Sequence, residues 1–338
     1  MDAVPLFEVV DGGLLTTVQD AGRPDTTRLG VPVSGAADPW GLAVANLLAG
    51  NDVGAAVLEL TAVGPTLRAQ RPATIALAGA DLGGRCNGRR LPPGRTHRIA
   101  TGDVIEFPGR AASDPAPGGW RAYLAVPGGI EAEVVLGSRS ACLAGGFGGI
   151  AGRALRPGDV IEVGLASASA SASVERVWPA PEDGAGHAST ERRTAVLRVL
   201  DGPDPGLEAL LGRAWRAAPS SDRVGTRLEG DPVRGGIGGE TTTFGVPWGA
   251  IQIPPDGRPI VLGPDHQTTG GYRVVGVVIS ADLGTLGQLG PGGTLRFDVI
   301  SADAAIAAFR SQRRALVNGA AALRDDERWA ALADAAGG

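Results

Sequence analysis

The run Asp265-His266-Gln267-Thr268-Thr269-Gly270-Gly271-Tyr272 sets a carboxylate, an imidazole, an amide and two hydroxyls ahead of a Gly-Gly pair. Apolar residues 259–262 lead into it and 274–279 lead out. That order reads as strand, polar loop, strand, and a rigid sheet would present the polar groups at one rim. Asp, Thr and Gly alone make ordinary turns. His, Gln and Tyr beside them point instead to a site, with a carboxylate to orient or deprotonate water and amides and hydroxyls to hold a polar molecule.

A second polar cluster lies near the start of the chain. Thr16-Thr17-Val18-Gln19-Asp20-Ala21-Gly22-Arg23 follows a hairpin-like stretch over residues 6–15, and Ser34, Asp38 and Asn46 come soon after. An amide, a carboxylate, an arginine and a hydroxyl on consecutive loops suit a small polar ligand. Asp38 also reads as a helix cap, and Asp20 followed by Gly22 also reads as a turn.

The elements that must position these groups are mostly strands. The 338 residues include 54 glycines and 25 prolines, are 43% hydrophobic and 20% charged, and so describe a folded, turn-rich chain with few long helices. The fold class expected is mainly β, with two β-barrel-like domains and a few short helices. Three turn-strand units support it: Thr101-Gly102-Asp103 into residues 104–107, Pro157-Gly158-Asp159 into 160–163, and Pro291-Gly292-Gly293 into 294–297. Residues 166–192, with an Ala-Ser repeat followed by Pro and Gly, read as a linker between domains at 1–165 and 193–300, with a helical extension over 301–338. The clearest helix has Asp38 as N-cap, Pro39 at its first position and Gly50 just beyond its end. A C-terminal pair is expected, one helix capped by Ser301 and carrying Ile306, Phe309 and Leu316, the other over residues 323–333.

Composition also excludes chemistry. A net charge of −5 and 4% aromatic content argue against a nucleic-acid partner. Residues 1–5 lack the features of a secretory signal and no apolar run is long enough to span a membrane, so a cytoplasmic location is expected. Cys86 and Cys142 stand apart, without a Cys/His cluster, so reduced buried thiols are expected and no metal site. All 31 basic residues are arginine. Without lysine the chain has no P-loop cation, no Schiff-base amine and no attachment point for biotin. Any bound phosphate or carboxylate must meet arginines or glycine-loop N–H groups, for which Gly145-Gly146-Phe147-Gly148-Gly149 is a candidate.

Seven segments in order, residues 17–23, 30–38, 58–61, 136–140, 227–230, 252–257 and 265–272, closely resemble the family of 5-oxoprolinase C subunits, also called allophanate hydrolase subunit 2 or biotin-dependent carboxyltransferase. The resemblance covers roughly residues 6–300. It implies cyclophilin-like β-barrel domains and a B-type partner protein, with an A-type partner completing an ATP-dependent enzyme that opens the lactam of 5-oxoproline to give glutamate. One alternative is the carboxyltransferase component of a biotin-dependent urea or amide carboxylase. Another is a non-catalytic antagonist that binds a kinase-inhibitor-like partner. Under the hydrolase reading the chain is inactive alone. Its candidate carboxylates are then Asp265 and Asp20, its candidate cations Arg23, Arg139 and Arg227, and its candidate substrate holders Gln19, Ser34, Gln252, Gln267, Thr268, Thr269 and Tyr272. His266 occupies a slot that varies in the family and is a secondary candidate base. Thr243-Phe244-Gly245 and Ala37 depart from the family pattern, and if Phe244 fills part of the substrate pocket the substrate differs from 5-oxoproline.

Overall fold

A computed structural model describes residues 3–109, 119–164, 175–179, 194–233 and 240–336. Strands Val4–Asp11 and Leu15–Gln19 do not form the hairpin expected of them, because they belong to different sheets. The glycines between them make a corner: a Cβ on Gly12 would lie 2.1 Å from the Leu155 carbonyl oxygen, and Gly13 has φ +70°. Val4–Asp11 instead pairs with Val160–Val163 and Thr66–Ala69 in a seven-stranded sheet. Leu15–Gln19 starts a five-stranded antiparallel sheet and is followed across it by Val57–Thr61, Arg121–Ala125, Ala73–Gly79 and Arg95–Ile99.

These two sheets enclose one core. Phe7, Val9, Leu67, Ile105 and Ile161 from the first meet Leu58, Leu60, Ile75, Leu77 and Leu124 from the second. Side chains alternate across a strand, so the neighbours Val57, Ala76, Ala78, Tyr123 and Ala125 point to the other face. There they pack under helix α1, Pro39–Ala49. Its caps are those read from the sequence: the Asp38 side chain accepts from the Trp40 and Gly41 N–H groups, and Gly50 closes it in the left-handed region. With both faces covered, all of Val57–Thr61 is buried, Glu59 included.

Seven strands form a closed barrel in the second half, in the order Ala195–Asp201, Thr294–Val299, Trp215–Ala217, Gly225–Glu229, Ile260–Leu262, Ala250–Ile253 and Thr269–Val278, with the last pairing back to the first. Glu240–Gly245 is added outside Thr269–Val278. Two of the three turn-strand units open strands of the first half and the third opens Thr294–Val299, each after a glycine at positive φ. The fold is mainly β.

Residues Thr269 to Tyr272, expected as loop and turn, are the start of a strand. Gly270 sits against the Gln252 amide, whose Nε2 would be 2.6 Å from an added Cβ, so the glycine provides room for a side chain and makes no turn. The expected C-terminal helix pair is one helix, α2, Ala302–Ala336. Asn318-Gly319 does not break it, because a Cβ at Gly319 would lie 2.4 Å from the Trp178 ring that packs there. Trp178 belongs to residues 175–179, the described part of the expected linker; it meets Trp40 edge to face at 6.4 Å, and Val177 bridges to Arg95. The rest of the expected linker lies outside the described residues. Cys86 and Cys142 are buried and unpaired. Among the described residues no helix is long and apolar enough to cross a membrane.

Candidate functional site

The two halves meet through buried polar side chains. Glu59 stands opposite Tyr123 on neighbouring strands, and its Oε2 accepts from the Tyr123 hydroxyl at 2.9 Å and from the Ala37 N–H at 2.8 Å. Its Oε1 pairs with the Arg223 guanidinium from the second half. Arg223 Nε donates to Asp265 Oδ2 at 2.7 Å, and Nη2 donates to the Gly35 carbonyl at 2.6 Å. Burial on its own pulls the Arg223 pKa down, but the Asp265 and Glu59 carboxylates outweigh it and hold the cation firmly protonated. Burial acts on Tyr123 in the other direction: with Glu59 beside it, the pKa rises well above the usual phenol value, so the hydroxyl serves as a fixed donor. Nearby, Gln288 Oε1 accepts from the Trp120 and Arg121 N–H groups while Nε2 donates to Asp38 and to the Arg121 carbonyl.

A loop over residues 135–149 takes up the early polar cluster. Asp20 Oδ1 accepts from Ser138 Oγ at 2.6 Å, Ser140 Oγ at 2.5 Å and the Gly22 N–H at 2.8 Å, and Oδ2 accepts from the Arg139 N–H at 2.6 Å. Arg139 reaches Glu131 at 2.6 Å. Arg23 is buried, with Nη2 on the Ser140 carbonyl, Nε on the Val135 carbonyl and its guanidinium 5.2 Å from the centre of the Phe147 ring. Its pKa is lowered by burial, against the pull of Cys142, Asp20 and Asp265. Gln19 donates to Thr17 Oγ1 and the Ala141 carbonyl. The glycine-rich turn is no open anion nest: Gly145 and Gly146 donate to the Cys142 carbonyl and Gly149 to the Arg139 carbonyl. Ser34, at φ 54°, has its N–H on the Pro264 carbonyl and its Oγ buried without a partner.

On the barrel a third region opens, a cavity of about 790 Å³ whose wall includes Arg227, Glu229, Gln252, Arg258, Gln267 and Tyr272. Strand Gly225–Glu229 alternates buried and exposed, which turns Arg227 and Glu229 outward together. Gln252 is 1% exposed, and its Nε2 is buried without an acceptor. Gln267 Nε2 approaches Gln252 Oε1 at 3.5 Å, a long contact. Four substrate-binding candidates, Arg227, Gln252, Gln267 and Tyr272, are thus brought to one cavity.

The remaining candidates lie elsewhere. Gln19, Asp20, Arg23 and Arg139 gather at the 135–149 loop, Asp265 and Ser34 lie at the junction of the halves, and Thr268 and Thr269 follow the edge of the last barrel strand. Both carboxylates singled out for chemistry, Asp20 and Asp265, have their oxygens engaged by protein donors. His266 is 1% exposed, and burial lowers its pKa, against a hydrogen bond to the Gln267 carbonyl and the pull of Asp265. Phe244 packs on the small cluster of Val246, Ala250, Leu262 and Val274, not on the cavity wall. Sequence reasoning did not single out Glu59, Arg223, Gln288 or Glu229. Glu59 carried a signal, a carboxylate at the centre of an apolar strand, which requires a buried cation opposite. Among the described residues no three His, Cys, Asp or Glu side chains group as metal ligands.

A closed barrel, antiparallel except where Ala195–Asp201 runs parallel to Thr294–Val299, carries a polar cavity and is braced against a two-sheet domain through buried ion pairs, and this is the architecture of a carboxyltransferase domain. The chain belongs to that family: the model for the carboxyltransferase domain, subdomains A and B, matches residues 29–299. It is 32% identical to the 5-oxoprolinase C subunit from Escherichia coli, a match covering 91% of this chain and 96% of the relative. The solved TTHA0988 structure superposes with a TM-score of 0.77 at 34% identity, over 87% of this chain and 55% of that one. The urea amidolyase structure from K. lactis superposes with a TM-score of 0.80 at 30% identity, over 94% of this chain and 20% of that one. The chain therefore spans about half of the first of these solved chains and a fifth of the second.

Proposed function

We propose that the protein is the C subunit of an ATP-dependent 5-oxoprolinase and that its barrel cavity holds the cyclic amide. The cavity carries this reading. It offers a guanidinium at Arg227 for a substrate carboxylate, and side-chain amides at Gln252 and Gln267 for a lactam carbonyl and N–H. Gln252 Nε2 has no acceptor among the described residues, so a ligand carbonyl met by a turn of this amide toward the cavity would remove the cost of a buried unpaired donor.

The phosphate-binding candidates among the described residues do not form a triphosphate site. The chain has no lysine, three glycine N–H groups of its glycine-rich turn are used internally, and Arg23 is buried with Nε and Nη2 on two carbonyls. Nucleotide handling is therefore assigned to partner subunits of the A and B type. Biotin is not carried here either, for want of a lysine. Within the complex the contribution of this chain is to bind and orient the lactam and, by enclosing it, to limit access of bulk water.

The likeness to urea amidolyase favours one other reading, transfer of a carboxyl group to an amide bound in the same cavity. Reconstitution separates the two. The purified chain mixed with its partner subunits is expected to release phosphate in a 5-oxoproline-dependent manner, with no turnover by the chain alone. Carboxylation of an amide by free carboxybiotin, without 5-oxoproline-dependent phosphate release, would replace the hydrolase reading.

A further inference from the structure

Within the cavity most charges are already used. Asp222 Oδ1 accepts from the Val224 and Gly225 N–H groups at 2.8 and 3.1 Å. Asp256 Oδ1 accepts from the Arg258 N–H at 3.0 Å, and Oδ2 lies 3.8 Å from the Arg258 guanidinium. Arg227 and Glu229 differ. Among the described residues, neither the Arg227 guanidinium nor the Glu229 carboxylate has a hydrogen bond or an ion pair, although both line the cavity. Arg216 stands opposite Glu229 on the neighbouring strand, and it too is exposed and makes no ion pair with it.

Positions 227 and 229 are two residues apart on one strand, so their side chains leave the same face with roots ~7 Å apart. One is a fixed cation whose fork matches a carboxylate. The other, when ionised, can only accept hydrogen bonds. Gln252 belongs to the same wall, and just beneath its surface the Gln252 Nε2 is a donor with no partner among the described residues, which a turn of the amide would bring to a ligand. A ligand satisfying all three has an anionic group, an N–H close to it and a carbonyl beyond.

We infer that Glu229 is a specificity-determining residue that accepts the ring N–H of a cyclic amide acid, while Arg227 clamps the carboxylate on the adjacent carbon and Gln252 donates to the ring carbonyl. This rests on the lactam reading of the cavity and adds to it the group that tells an amide from its isosteres. An acceptor-only side chain repels any ligand that presents a lone pair where the N–H belongs. A site built around such a hydrogen bond therefore discriminates more sharply than one relying on shape.

The test compares 5-oxoproline with its lactone counterpart, 5-oxotetrahydrofuran-2-carboxylate, which replaces the ring N–H with oxygen. Binding is measured by calorimetry on the full chain and on its complex with the partner subunits. The wild type is expected to prefer the lactam by at least about tenfold. Glu229→Gln, whose amide can donate to the ring oxygen, should weaken lactam binding and bring the ratio close to one. Glu229→Asp, which keeps the charge, should retain part of the preference. Arg227→Gln should weaken both ligands together and leave the ratio unchanged. A Glu229→Gln protein with the wild-type melting temperature and the wild-type lactam-to-lactone ratio would overturn the assignment of Glu229 while leaving the 5-oxoprolinase reading intact. A wild-type complex that binds neither ligand but turns over another amide would overturn that reading, and the assignment with it.

Discussion

The junction between the halves and the cavity on the barrel are both rich in charge, yet they differ in one respect. At the junction Glu59, Arg223 and Asp265 are buried and complete one another, and in the neighbouring loop Asp20 takes four protein donors. In the cavity Arg227 and Glu229 are accessible and, among the described residues, unmatched. Saturated polar groups hold a fold together, whereas unmatched ones are available to a ligand. Polarity in the sequence marks both kinds of region equally, and only the hydrogen-bond account separates them.

That contrast predicts a graded series of effects on stability. Arg223→Ala should be the most damaging change, because it leaves buried Asp265 without its cation and Glu59 with only Arg121 at 3.6 Å, at a cost of about 3–5 kcal/mol. Urea unfolding measures it, and a loss below about 1 kcal/mol would mean that Glu59 and Asp265 find water or other partners. Asp20→Asn comes next. It removes the charge that four donors converge on and should cost about 2 kcal/mol in the same experiment, since hydrogen bonds to charged groups are among the stronger ones.

The third effect is a pH dependence. Burial lowers the pKa of both His97 and His266 below the usual histidine value. The unfolded chain therefore takes up these protons first, so their contribution to stability is complete above the ordinary histidine range and declines as the pH falls below about 6.5. Melting temperatures recorded between neutral and mildly acidic pH should fall for the wild type, and His266→Gln should flatten part of the slope. A slope unchanged by that substitution would show that His266 is no more reluctant to protonate than a solvated imidazole. Smallest of all, Arg227→Gln should alter stability by less than about 0.5 kcal/mol, because among the described residues that guanidinium has no hydrogen bond or ion pair. A larger loss would place Arg227 with the saturated groups.

How much of this was legible in the sequence follows the range of the interactions. Helix α1 could be read from Asp38, Pro39 and Gly50, because capping is local chemistry. The glycine-led strands could be read for the same reason. Gly270 misled, since what it accommodates is a distant side chain, the Gln252 amide. The corner at Gly12 and Gly13 looked like a hairpin because the sequence does not say which sheet the next strand joins. At the candidate site, Gln252 and Arg227 were found through family resemblance, and Glu229 stood two residues away unremarked. Period-two spacing puts 227 and 229 on one face, but which face is wet depends on how seven strands close.

Gln288 offers a last consequence. Its side-chain amide both accepts from the Arg121 N–H and donates to the Arg121 carbonyl, so an element of the barrel half meets the first-half backbone much as a neighbouring strand would. Together with Arg223 on Glu59, this means that neither hydrophobic core can open at the junction without exposing unmet backbone groups or stranding a charge in the other. Two cores joined in this way should melt as one cooperative unit, with the calorimetric and van't Hoff enthalpies agreeing for the whole chain and not for either half.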